Sequence, residues 1–168
     1  MKAHRLLLAV QIIFFLGWGA YLLTSFQDSQ EIWVQTDPID PRDLLSGHFV
    51  ALRFSNLERP TAQGCANGSA SDSIWVRVEA SEQTIQTVQG TKGVWHVVTC
   101  AAQAPQGQTG VWLRGQRQKE RGGYRYGIER YFLSETDPRR NAQSGKVIAR
   151  VLVNRQHQAR ITDLVAIK

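Results

Sequence analysis

The sequence predicts a mainly β protein, an N-terminal transmembrane helix followed by an antiparallel β-barrel or β-sandwich domain. Three observations predict it. Residues 6–26 carry no charged side chain. Beyond them no segment keeps a helical period for more than a turn or two, while short runs of alternating apolar and polar residues recur between turn residues. A chain of 168 residues has room for one domain and one extra element.

The helix comes first. At a rise of about 1.5 Å per residue, residues 6–26 cover about 30 Å, the thickness of a bilayer's hydrocarbon core. Trp18 and Tyr21 lie toward its far end, as interfacial rings do. A cleaved signal peptide is the alternative, but the exit Tyr21-Leu22-Leu23-Thr24-Ser25-Phe26-Gln27 is bulky and lacks a small-residue cleavage site. The expected organisation is an uncleaved signal anchor at 1–27 and a domain at 28–168. Lys2 and Arg5 precede the helix, whereas Asp28, Glu31 and Asp37 follow it before the next cation, Arg42. Positive charge stays in the cytoplasm, which sends the domain to the other side.

The remaining elements follow in order. Residues 27–30 read as a polar linker and 31–36 as a strand carrying Trp33. In 37–47, Asp40 suits a helix cap, Pro41 its first position and Gly47 a left-handed exit from a short turn. A strand comes next, with His48, Val50, Leu52 and Phe54 alternating against Phe49, Ala51 and Arg53. Residues 57–72 hold Pro, Gly, Asn and Ser without period and read as a loop. Strand-like runs then occupy 73–80, 84–89, 93–100, 110–118, 123–133, 146–153 and 160–167. Ile74, Val76 and Val78 alternate with polar residues in the first of these, and Val147, Ala149, Val151 and Val153 keep the same period near the end.

Charge and cysteines narrow the function classes. The formal net charge is +6. Two of the 20 Lys and Arg flank the membrane segment, leaving 18 against 14 Asp and Glu with no run of five like charges; nucleic acid is not an expected partner. Cys65 and Cys100 are either one disulfide of an oxidising compartment or two unrelated thiols. No nucleophile elbow, zinc-protease helix, phosphate loop or dinucleotide fingerprint is present. His48, His96 and His157 are scattered, and no metal or cofactor is implied. His96 alternates with Val94 and Val98, which places it at a core-facing or half-buried position.

Two blocks hold polar residues that a plain surface does not explain. In the first, Asp37, Asp40 and Asp43 surround Arg42, ahead of Gly47 and His48. This set suits a cation or proton transfer, or simply caps a turn. In the second, Tyr124, Tyr126, Ile128 and Phe132 share one strand face and Arg125, Glu129 and Tyr131 the other. Arg125 and Glu129 stand about 13 Å apart on a straight strand and meet only if the chain bends at Gly127. Glu129 is then a site acid, or a carboxylate neutralised by Arg42 or Arg130.

The stretch Gly47-His48-Phe49-Val50-Ala51-Leu52-Arg53-Phe54, preceded by Asp40-Pro41-Arg42-Asp43, resembles the signature of the GDYXXLXY family. Tyr126-Gly127-Ile128-Glu129-Arg130-Tyr131-Phe132 is similar to its second hallmark. Where the motif has aspartate this chain has His48, and Phe49 and Phe54 replace its tyrosines, which favours a structural role for those positions. The resemblance implies a bacterial membrane-anchored protein facing the periplasm, with no established activity.

The expected function is therefore that of a non-enzymatic accessory or assembly partner of an integral membrane protein. Besides that protein, the lipid bilayer around the helix is the expected partner. Two rivals stand beside it. One is a membrane-associated hydrolase using Glu129 with Asp40 or Asp43. The other is a module whose Arg114, Arg117, Lys119 and Arg121 touch anionic lipid head groups.

Overall fold

The computed structural model describes residues 2–24, 28–37, 49–65, 72–119, 122–134, 136–137 and 145–168. Helix α1 (Lys2–Thr24) holds no proline to break it, and lipid favours a helix because every backbone amide is bonded within the segment. It is the one helix among the described residues long and apolar enough to cross a membrane, and none of its Arg5–Leu22 window is buried by the rest of the chain.

The rest is mainly β and antiparallel. Strands β1 (Gln30–Gln35), β8 (Val147–Val153) and β9 (Ala159–Ala166) form one sheet in the order β1-β8-β9. A second sheet runs β4-β3-β5-β6, from β3 (Ser73–Thr87), β4 (Gly90–Ala101), β5 (Val111–Arg117) and β6 (Tyr124–Arg125). Strands β2 (Phe49–Ala51) and β7 (Arg130–Phe132) make a short two-stranded ribbon. Among the described residues the strands fall into these separate sheets rather than one closed ring, an arrangement compatible with a sandwich or an open barrel. At one corner the sheets are stitched together: the Val88 amide donates to the Ala166 carbonyl at 3.1 Å and the Lys168 amide to the Gln86 carbonyl at 3.0 Å.

Period-two patterning accounts for the core. Ile74, Val76 and Val78 of β3 bury their side chains against Ile32 and Val34 of β1 and Val147, Ala149, Val151 and Val153 of β8. Val50, Leu52 and Phe54 add the third side as the alternation predicts. Each aliphatic side chain so buried contributes about 1.5–3 kcal/mol. Strand β8 is covered on both faces, because Ile148 packs with Val94 and Val165 in a second, smaller cluster. Cys65 and Cys100 are joined by a disulfide that closes a separation of 35 residues.

Three local expectations are corrected. The runs 73–80 and 84–89 are one long strand, β3, with a register shift between Ala80 and Thr84. The run 123–133 is two short strands parted by a turn, because Gly127 adopts φ +81. His96 is exposed, opposite Glu79. A register shift between Arg77 and Val78 skips one residue of β4, so that Trp95 and Val97 pack on the main core instead.

Candidate functional site

The turn between β6 and β7 joins the large sheet to the ribbon, and the sequence makes it local. Tyr124 and Arg125 extend the edge of β5, pairing with Arg117 and Gln116. Tyr124, Tyr126 and Ile128 then point into the core with 7%, 7% and 1% exposure. At Gly127 the backbone enters the left-handed region that glycine tolerates best (φ +81). That bend brings Glu129 back over its own turn. Its Oε1 accepts the Tyr126 amide at 2.6 Å and its Oε2 the Gly127 amide at 3.1 Å.

Arg125 and Glu129 do meet, with Nε to Oε2 at 3.9 Å. Among the described residues Glu129 is thus paired with Arg125 and not with Arg130. Arg130 instead lays its guanidinium over the Phe49 ring at 4.8 Å, and Arg42 lies outside the described residues. So do Asp40, Asp43, Gly47, His48 and Arg121. Phe132 also departs from expectation: the turn breaks the face it was to share with Tyr126, and it is 68% exposed, its ring 5.6 Å from Phe49.

Tyr126 anchors the turn from beneath. Its hydroxyl donates to the Leu57 carbonyl at 2.9 Å. Burial holds its phenol far above the ordinary range, and the neighbouring Tyr124 and Glu129 push the same way. The ring lies close against Gly115 of β5, where an added Cβ would stand 2.9 Å from both Cε1 and Cζ. Tyr131 on β7 reaches the other sheet, donating its hydroxyl to the Thr162 carbonyl at 3.1 Å.

Above this floor runs a broad groove of about 1290 Å³ between β2, the end of the short helix α2 (Ser55–Glu58), β5 and the β6–β7 turn. Among the described residues seven Lys and Arg line it against two carboxylates, Glu58 and Glu129. Both carboxylates already face an arginine, Arg53 at 3.4 Å and Arg125 at 3.9 Å. The groove is therefore strongly basic, suited to anions, and its arginines come from segments far apart in the chain. No run of charges betrayed it; sequence singled out Arg114, Arg117 and Lys119 as an anion-contacting set, and Arg125 and Arg130 only beside Glu129.

A hydrolytic carboxylate needs an oxygen open to water or substrate. Both oxygens of Glu129 hold backbone amides, and its side chain is 23% exposed. Such an acid shapes the turn.

Compared with known proteins, residues 11–164 match the family model described as GDYXXLXY protein. No curated protein and no solved structure matches the chain.

Proposed function

The chain belongs to the GDYXXLXY family, and on that premise we propose that it is a membrane-anchored extracytoplasmic module that assists an integral membrane protein without catalysing a reaction. In this reading residues 1–27 are the signal anchor and residues 28–168 the periplasmic domain. The observation that carries it is the apolar helix α1, whose window finds no cover in its own chain and so needs lipid or another protein's helices. The Cys65–Cys100 disulfide supports an oxidising compartment for the β part.

The commitment of both Glu129 oxygens to its own turn supports a binding role for that residue rather than a catalytic one. The β2–β7 ribbon supports a contact surface: half-buried Phe49 and exposed Arg130 and Phe132 form an aromatic and arginine cluster, the residue types enriched where proteins meet. Partner contact there buries apolar ring surface and keeps the guanidinium stacked.

Co-purification tests the reading. The intact protein, extracted in mild uncharged detergent, is expected to carry a multi-span membrane protein in fixed stoichiometry. Alanine at Phe132 is expected to weaken that association. Recovery as a stable, partner-free monomer under the same conditions counts against it.

A further inference from the structure

We propose that the basic groove beside the β6–β7 turn is a binding site for phosphate-type oxyanions, presented either by a lipid head group or by a soluble phosphate ester. The inference stands apart from the partner reading and rests on the groove's own charges.

The first ground is the imbalance. Among the described residues seven cations share the lining with two carboxylates, each already beside an arginine. Among the described residues no carboxylate lies within ion-pairing distance of Arg114, Arg117, Lys119 or Arg130. Cations crowded into a concave surface repel one another, and a groove of low-dielectric walls concentrates their field. An anion relieves that repulsion.

The second ground is preorganisation. Arg114 holds its guanidinium 5.6 Å over the Trp75 ring, and Arg130 lies 4.8 Å over Phe49. Stacking engages the face of a guanidinium and leaves the N–H edge available, so the forked donors are partly fixed before a ligand arrives. That fork matches phosphate oxygens in a bidentate manner. Arg114 and Arg117 stand three residues apart on β5, about 10 Å along the strand, and a groove of about 1290 Å³ has room for more than one charged group. The ligand chemistry that fits is a phosphate ester or anhydride, rather than a lone halide or an apolar molecule.

The test uses the full chain in uncharged detergent micelles at low salt, followed by calorimetry. Inorganic pyrophosphate is the soluble probe. Dihexanoyl-phosphatidylglycerol is the head-group probe, and dihexanoyl-phosphatidylcholine its zwitterionic control. Saturable binding of pyrophosphate, of the phosphatidylglycerol, or of both is expected, and which one binds more tightly identifies the source. Salt is expected to weaken it. R114E/R117E should weaken it at least about tenfold, as loss of charge-assisted hydrogen bonds does. The milder R114Q/R117Q should weaken it in the same direction. R155E, at an arginine paired with Asp28 outside the groove, should leave binding within about twofold, a change too small to signal a lost contact. Absence of saturable binding up to about 1 mM, equal binding of the phosphatidylcholine, or equal loss in R155E overturns the proposal.

Discussion

Removing the Glu129 carboxylate tests whether the family hallmark is a turn cap. In Glu129→Ala the Tyr126 amide, part-buried and bonded at 2.6 Å, loses its acceptor, which costs about 1.5–3 kcal/mol for a hydrogen bond to a charged group. The Gly127 amide is exposed and recovers most of its bond from water. The Arg125 pair adds little: it spans 3.9 Å and the arginine is 50% exposed, so solvent screening leaves about 0–1 kcal/mol. The expected loss is therefore about 2 kcal/mol for alanine and about 1 kcal/mol for glutamine, which keeps one acceptor oxygen. Arg125→Ala should cost under about 0.5 kcal/mol. Urea unfolding of the full chain in micelles, followed by tryptophan fluorescence, measures all three, provided the denaturant slope is unchanged. An alanine variant within about 0.5 kcal/mol of the parent refutes the cap. So does an Arg125→Ala loss as large as that of Glu129→Ala, which would make the ion pair the stabilising contact.

Two further outcomes follow from the floor of the same site. Gly115→Ala forces a methyl onto the Tyr126 ring and Ile74, both 2.9 Å from its position. The hydroxyl bond to Leu57 hinders the ring's retreat, so overpacking should cost about 1–3 kcal/mol in the same urea assay. An unchanged midpoint contradicts that packing. Tyr126→Phe leaves the Leu57 carbonyl without its donor, at a cost of about 1–3 kcal/mol near neutral pH. Burial raises the folded phenol's pKa above the unfolded value of about 10. Its stabilising contribution is complete below that pH and is lost as pH rises, at up to about 1.4 kcal/mol per unit. The parent should therefore lose its advantage over Tyr126→Phe above about pH 10; parallel pH profiles of the two contradict this.

The strands were legible where one face is buried and the other is not. Val50, Leu52 and Phe54 obey period two because alternate side chains enter a single core, and Val147, Ala149, Val151 and Val153 keep the same period although Ile148 is buried on the opposite face of β8. Fusion of two runs into β3 was not legible, since Ser81, Glu82 and Gln83 carry no apolar signal for the strand to continue. The bend at Gly127 was legible as a condition: Arg125 and Glu129 needed it in order to meet. The commitment of Glu129 to two amides was not, because it depends on a left-handed dihedral at Gly127 that composition does not reveal. The groove was partly legible on β5 and otherwise hidden, since Arg53, Arg125 and Arg130 converge only through the pairing of β2 with β7 and β5 with β6.

The side of the membrane on which the β part lies is tested most directly by labelling an introduced cysteine. Val88 sits at the β3–β4 turn and is 62% exposed, while both native cysteines are bonded to each other. In spheroplasts bearing Val88→Cys, a membrane-impermeant maleimide is expected to label the protein without lysis. Labelling that appears only after the cells are broken contradicts the account.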